Sequence, residues 1–151
     1  MIQRKQTLYL IAALVATLVC LFAPIGKIEL KGMGISPVLY NIALKGSDGA
    51  LNFSCFPLFA FLALTCLMAA FAIFLYKNRP LQARLCTWCI VFDLAWGVYL
   101  MFCIFNLFAS LGTLHVTATA FLPVVSLLCF VLARRGIVAD EKLVRAADRI
   151  R

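Results

Sequence analysis

The sequence predicts an all-α membrane protein: an antiparallel four-helix transmembrane bundle with a small β-hairpin in its first outer loop and a cytoplasmic amphipathic helix at its carboxyl end. The 151-residue chain is 65% hydrophobic and has a mean hydropathy of +1.04, which is more apolar surface than an aqueous core of this size can bury. Four apolar runs approach the roughly 20 residues that cross a hydrocarbon layer of about 30 Å. The segments that separate these runs are alternately rich and poor in basic residues. We therefore expect one integral membrane domain over residues 1–151.

The four predicted spans cover residues 7–23, 55–76, 85–109 and 114–133. The first span carries no charge, and the third carries only Asp93. The second begins near Pro57, a residue suited to the first turn of a helix. All four runs are continuous rather than alternating, which favours helices over the strands of a barrel. Because Pro24 follows the first run and Leu21 stands where signal-peptide cleavage needs a small residue, we expect that run to be retained.

The basic residues of the short loops predict the orientation of the bundle. Eleven lysines and arginines fall on one side: Arg4, Lys5, Lys77, Arg79, Arg84, Arg134, Arg135, Lys142, Arg145, Arg149 and Arg151. The other side has Lys27, Lys31 and Lys45. By the positive-inside rule, both termini lie in the cytoplasm. The net charge of +8 therefore reflects topology, and since no basic run is interleaved with exposed aromatic residues, a nucleic-acid partner is not expected.

The outer loop, residues 24–54, contains strand-like segments. KIELK alternates in the manner of a strand, and the runs VLYNIAL and ALNFS flank the turn-forming sequence KGSDG. These segments predict a β-hairpin over the bundle, with an irregular loop as the alternative. Between spans three and four, the sequence SLGT leaves room only for a tight connection.

The tail, residues 134–151, has the pattern of a basic amphipathic helix. Its apolar stripe and flanking basic residues are Lys142, Leu143, Val144, Arg145, Ala147, Arg149 and Ile150. Such a helix can lie on the anionic lipids of the inner leaflet. It can also dock onto a membrane-protein partner or a second copy of the chain, or it can remain solvated and serve only to set the topology.

The stretch RLCTWCIVFDLAW places two thiols and an acid on one helical face. At 100° per residue, Cys86, Cys89 and Asp93 fall within about 100° of arc. At about 1.5 Å per residue, Asp93 lies some 12 Å inside the membrane, where ionisation without a cationic partner is costly. We expect a neutral Asp93 that is hydrogen-bonded to another helix. The candidate partners at a similar level are Thr65, Cys66 and Asn106.

Three interpretations of this face stay open. Asp93 can be a hydrogen-bonding contact between helices, or it can be the centre of a proton or cation relay. Alternatively, Cys86 and Cys89 can form a redox pair or, with Cys129, a soft-metal site, although the predicted cytosolic side is reducing. Small apolar cysteines are also common in buried helices. We predict no cofactor and no resident metal.

Two further cysteines are predicted to lie near the outer ends of the first two spans. Cys20 and Cys55 can form a structural disulfide there if the two helix ends meet. The total of seven cysteines is odd, so at least one thiol stays unpaired.

The two ends of the chain carry a resemblance. Met1-Ile2-Gln3-Arg4, Gln6 and Tyr9-Leu10 stand at the start, and Leu143-Val144-Arg145 and Asp148-Arg149 at the finish. With these ends the chain resembles a family of small bacterial inner-membrane proteins classed as a domain of unknown function. The resemblance implies four spans, both termini inside and a bacterial cytoplasmic membrane. No activity, cofactor or catalytic residue comes with that family.

Taken together, the patterns predict a non-enzymatic accessory or scaffold protein that meets its partners through the tail and the outer loop. A proton- or ion-coupled membrane component using Asp93 is one alternative, and a thiol-redox or metal protein using Cys86 and Cys89 is another. No motif for nucleotide binding, hydrolysis or covalent catalysis is visible in the sequence.

Overall fold

A computed structural model describes residues 3–30, 36–46, 49–76, 78–108 and 112–148. Four long helices dominate it: α1 Gln3–Phe22, α2 Phe56–Phe74, α3 Arg79–Phe102 and α4 Leu122–Asp148. A turn of 3-10 helix precedes α2 and another precedes α4, and a π-helical turn over Cys103–Leu107 follows α3. Each long helix is apolar and long enough to cross a membrane, which confirms the expectation of four candidate spans by length and composition.

Proline marks the beginning of three helices. Pro57 and Pro80 each occupy the first turn, of α2 and α3 respectively, and Pro123 is the second residue of α4. The first turn tolerates proline because its backbone N–H groups have no partner inside the helix. These positions fix where the helices start without interrupting them.

The four helices pack as a ring: α1 contacts α2, α2 contacts α3, α3 contacts α4, and α4 closes the ring against α1. Two clusters of buried apolar side chains fill the interior. One lies at the end that the sheet covers and includes Leu58 and Trp96; the other lies towards the start of α1 and the end of α4 and includes Leu10 and Phe130. On the outside of the ring, large apolar side chains such as Phe74 and Val98 are 79% and 71% exposed, as lipid-facing residues are.

The segment predicted as the outer loop forms most of a five-stranded antiparallel sheet, so the prediction of a simple β-hairpin was wrong. The strands are β1 Pro24–Leu30, β2 Val38–Tyr40, β3 Leu44–Lys45, β4 Leu51–Asn52 and β5 Gly112–Val116, in the order β4-β3-β2-β1-β5. The expected hairpin survives only as the short β3–β4 pair, whose turn includes Gly49 at a φ of 76°. The unexpected partner is β5, which pairs along most of β1.

The strand β5 also changes the boundaries of the fourth span. The sequence predicted a tight SLGT connection followed by a helix from residue 114, but Gly112–Val116 is extended and pairs with β1, with Lys27 opposite His115. Helix α4 therefore begins at Leu122. It then runs without a break to Asp148, so the predicted tail helix is the end of α4 rather than a separate element. Arg149 and Ile150 lie outside the described residues.

Candidate functional site

Buried polar side chains from all four helices occupy the middle of the ring. They are Thr17 of α1, Thr65 and Cys66 of α2, Cys89 and Asp93 of α3, and Ser126 of α4, and none is more than 8% exposed. The Cys66 thiol lies 3.3 Å from the hydroxyl of Thr17, and the Cys89 thiol lies 3.9 Å from the Thr65 carbonyl oxygen. These are weak contacts between small side chains, as close helix packing requires.

Asp93 is the one acid in this buried polar set, and its partner is on α4. The Ser126 hydroxyl lies 2.7 Å from Asp93 Oδ2. The sequence offered Thr65, Cys66 and Asn106 as partners, but Thr65 donates to Phe61 of its own helix and Asn106 is exposed and donates to Phe102. Depth counting could have added Ser126 to these candidates, because it precedes Arg134 by eight residues and Asp93 follows Arg84 by nine.

The hydrogen bonds around Ser126 do not balance if Asp93 is ionised. The Ser126 hydroxyl oxygen lies 2.7 Å from Asp93 Oδ2 and 2.8 Å from the Pro123 carbonyl oxygen, but a hydroxyl has only one proton to donate. A neutral carboxyl resolves this, since Asp93 can donate through Oδ2 to Ser126, and Ser126 can donate to Pro123. The same arrangement leaves Asp93 Oδ1 as a carbonyl-type acceptor.

The other carboxyl oxygen of Asp93, Oδ1, is buried. Among the described residues it is the one buried side-chain oxygen or nitrogen without a hydrogen bond. Such atoms are uncommon in folded proteins and call for an explanation, because burial has removed the water that would otherwise bond to them.

A groove between α3 and α4 lies against Asp93. It has a volume of about 570 Å³, and the side chains that line it are otherwise apolar or aromatic, including Trp96 of α3 and Val124 of α4. Gly97 forms part of its wall, one helical turn beyond Asp93, and a Cβ added there would meet nothing within 4 Å. The groove exists in part because position 97 has no side chain.

Asn41, in the sheet region, contributes a further buried polar side chain, and it bonds to Trp96. The Trp96 indole Nε1 donates to Asn41 Oδ1 at 2.9 Å, and Asn41 in turn donates to the backbone carbonyl of Cys20. Asn41 is fully buried and joins the sheet region to α1 and α3. Asn41 was not predicted as a site residue; the available indication was a lone amide inside the apolar run VLYNIAL, since a buried tryptophan N–H needs an acceptor.

Cys86 and Cys89 are both fully buried and pack with the apolar cluster near the start of α1. Cys129, which sequence analysis considered as a third ligand, is only partly buried. Across the parts of the chain that the structure describes, no group of three or more histidine, cysteine, aspartate or glutamate side chains could hold a metal ion. The two thiols share the helical face of Asp93 but form no assembled ligand set with it.

Cys20 and Cys55 lie in the cluster beneath the sheet, where both are free and fully buried. They are not bonded to each other. Cys55 ends the 3-10 turn that precedes α2, and Cys103 is a buried member of the same cluster.

The opposite end of the ring carries the exposed cations. Lys5, Arg84, Arg134, Arg135 and Lys142 are all exposed there, and they come from α1, α3 and α4. Near this end a buried hydrogen bond joins α1 to α4, from Gln6 Nε2 to Asp140 Oδ2 at 2.6 Å. We call this region the basic end.

Beyond Asp140, α4 has an exposed surface made of both apolar and basic side chains. Leu143 is 63% exposed and Val144 is 46% exposed, beside the exposed Lys142. These are three of the predicted tail residues. The side chains of Arg145 and Ala147, and all of Arg149 and Ile150, lie outside what the structure describes.

Comparison with known families gives a match that covers almost the whole chain. Residues 2–150 match the model of a family described as Domain of unknown function (DUF4293), which confirms the resemblance to an uncharacterised family. No curated protein matches the chain.

Proposed function

Because the chain belongs to the DUF4293 family, whose description names no activity, we propose a function from the geometry of the chain itself. The protein is a non-enzymatic accessory protein of the bacterial cytoplasmic membrane that holds a membrane-protein partner at the end of α4. Its four helices span the bilayer, and the basic end lies in the cytoplasm. The sheet then covers the opposite side.

The distribution of charge supports this orientation. The exposed cations of the basic end come from three separate helices, and they would sit beside the anionic lipids of the inner leaflet. At the sheet end the described ionic groups are fewer, and one pair, His115 and Glu29, lies 3.2 Å apart across β5 and β1.

The observation that carries the scaffold proposal is the continuity of α4. Its 27 residues extend about 40 Å at 1.5 Å per residue, which exceeds a hydrocarbon layer of about 30 Å. The bond between Gln6 and Asp140 holds this helix against α1, so its last turns continue the direction of the span. That geometry favours a partner at the helix end over a helix lying flat on the leaflet, and it leaves Leu143 and Val144 uncovered.

Site-specific photocrosslinking tests this proposal. A photoreactive side chain placed at position 143 should give one discrete protein adduct in membranes, since Leu143 would face the partner. The adduct should disappear when Lys142→Glu and Val144→Asp are added. The same probe at exposed Lys45, on the sheet, serves as the matched control and should not give that adduct.

If position 143 reacts only with lipid, or if the adduct survives the two changes, the docking role of α4 is wrong. A truncation used alongside must remove residues 142–151 and no more. Ile137 is fully buried and Asp140 is 8% exposed, so an earlier cut would damage the packing of α1 against α4 rather than test the partner.

A second candidate function is a proton- or ion-coupled role for Asp93, and the unpaired Oδ1 favours it. Asp93→Asn should then abolish any response of reconstituted vesicles to a pH or ion gradient. Vesicles of the unchanged protein that respond to neither gradient would reject this role. Thiol chemistry at Cys86 and Cys89 has weaker support, because both side chains are fully buried.

A further inference from the structure

We propose that one face of α4 binds a single anionic phospholipid at the basic end. Its phosphate would lie between Arg134, Arg135 and Lys142, and an acyl chain would follow the apolar side chains that precede them on the helix. This is one place on one helix, and so it goes beyond the general attraction of a basic end for anionic lipid. The site rests on the proposed insertion of the four helices in a bilayer, but not on the partner proposed for the end of α4.

A shallow groove on the surface of α4 brings the three cations together. It has a volume of about 260 Å³, and the residues that line it are Arg134, Arg135, Val138, Ala139 and Lys142. This is less than the roughly 300–1,000 Å³ of pockets that enclose a whole small molecule, so the groove suits a headgroup rather than an entire ligand. Guanidinium and ammonium groups are the side chains with which proteins bind phosphate.

The positive charge of this groove is not offset within the described part of the chain. All three cations are exposed, and no ion pair with a described acid engages them. The ion pair between His115 and Glu29 lies at the sheet end, and Glu141 does not line the groove. Charge complementarity therefore favours an anionic headgroup over a zwitterionic one.

An apolar strip continues from the groove along the same face of α4. At 100° per residue, Val124, Leu128 and Val131 fall within about 60° of one another. Arg135 and Lys142 lie inside the same arc. Val124 and Leu128 are 55% and 57% exposed, as residues that face lipid are. The face thus pairs a cationic groove with an apolar surface, which is the pattern that a phospholipid presents in reverse.

The length of this strip matches the depth of one leaflet. Val124 precedes Arg134 by ten residues, which is about 15 Å at 1.5 Å per residue. A hydrocarbon layer of about 30 Å gives each leaflet about the same 15 Å. A phosphate held at Arg134 and Arg135 would therefore place its acyl chain beside the whole strip, whereas a soluble anion would leave the strip uncovered.

The lipid site and the surface proposed to meet the partner lie on different faces of α4. Leu143 is rotated from Lys142 by about 100° and Val144 by about 200°. The two arginines also precede these residues by about two turns. Substitution of Arg134 and Arg135 therefore tests the lipid site without changing the surface at Leu143 and Val144.

Photolabelling in lipid nanodiscs tests the site. A phosphatidylglycerol and a phosphatidylcholine with the same diazirine-bearing acyl chain would each be added as a minor component of a phosphatidylcholine bilayer, and the adducts mapped by mass spectrometry. Both lipids should label the exposed Leu67 of α2 in similar amounts. On residues 124–132 of α4 the anionic lipid should give about tenfold more adduct than the neutral one, because several basic residues attract its headgroup.

Three variants and a competitor separate the arguments. Arg134→Gln combined with Arg135→Gln should remove the excess of anionic over neutral adduct on α4. Arg134→Lys combined with Arg135→Lys keeps the charge and should retain the excess within about threefold. Arg84→Gln changes an exposed cation of the same end that does not line the groove, so it is the matched control and should leave the excess unchanged. Millimolar inorganic phosphate, at constant ionic strength, should also leave it unchanged.

The proposal is overturned if the two lipids label α4 equally, or if the excess survives the two glutamine changes. It is also overturned if the lysine pair loses the excess, since charge would not be its cause. Loss of the excess in inorganic phosphate would overturn it too, because the groove would then hold a soluble anion. Labelling of the apolar flanks by neither lipid would contradict the insertion of the helices as well, whereas a missing protein adduct at position 143 would contradict the partner alone.

Discussion

At the scale of single residues, the depth of Asp93 in the membrane could be predicted from the sequence, but the identity of its partner, Ser126, could not. The sequence predicts a buried acid that bonds across to another helix, and hydropathy together with the positive-inside rule gives its approximate level. The specific partner depends on how α3 and α4 rotate about their own axes, which the apolar pattern of an all-round hydrophobic helix does not fix. The bond between Trp96 and Asn41 is harder still to predict from the sequence, because the position of Asn41 depends on how the sheet packs against the helices.

We predict that Ser126→Ala lowers the free energy of unfolding by about 1 kcal/mol, the typical contribution of a hydrogen bond between membrane helices. The change removes the hydrogen bond that joins Ser126 of α4 to Asp93 Oδ2 of α3. Thr87→Ala is the matched control, since its hydroxyl donates to the Ala83 carbonyl of its own helix. Equal losses for both variants in denaturant titrations in detergent would contradict the assigned role of Ser126.

At the scale of secondary structure, the helices follow from local sequence and the sheet does not. Each apolar run and its flanking proline or charge lie within a short window, so four candidate spans could be predicted. Strand β5 forms because Gly112–Val116 pairs with β1, which is distant from it in the sequence. Its residues Leu114 and Val116 are apolar and continue the hydrophobic run of the fourth span, so hydropathy alone assigned them to a helix.

Two glycines inside helices should respond to alanine in opposite directions. At Gly136 of α4, an added Cβ would lie 3.0 Å from Gln6 Cγ, and the side chain that bonds Asp140 would have to shift. At Gly97 of α3 the same Cβ meets nothing within 4 Å. Since alanine favours a helix over glycine by about 1 kcal/mol, Gly97→Ala should stabilise the protein by up to that amount in thermal unfolding, and Gly136→Ala should stabilise it less or destabilise it. A larger gain at position 136 than at position 97 would contradict the packing of α1 against α4.

The substitution Gly26→Ala should disrupt the pairing of β1 with β5. Its Cβ would come within 2.7 Å of the backbone oxygen of His115, which a strand cannot accommodate without moving. At Gly46 the nearest atom is 3.5 Å away, an ordinary contact, so Gly46→Ala is the control. Hydrogen exchange should rise at residues 112–116 in Gly26→Ala alone. Unchanged protection of those amides would show that β5 does not pair with β1 as described.

At the scale of the whole molecule, the basic end and the sheet give the two sides of the ring different characters. Exposed cations from α1, α3 and α4 gather at one end, five short strands cover the other, and apolar side chains face outwards between them. The role proposed for the end of α4 depends on this polarity, because that end must reach the cytoplasm. The apolar flanks and the gathering of cations at one end could be predicted, since they follow from summed properties of segments, whereas the five-stranded sheet depends on individual strand pairings.

The location of the carboxyl terminus tests this account most directly. Two reporters fused in turn after residue 151 would be compared in bacterial cells: one that is active only in the cytoplasm and one that is active only after export. We predict that the first is active and the second inactive, because the basic end of α4 stays inside. Activity of the exported reporter alone would reverse the orientation, place Leu143 and Val144 outside the cell and contradict the account.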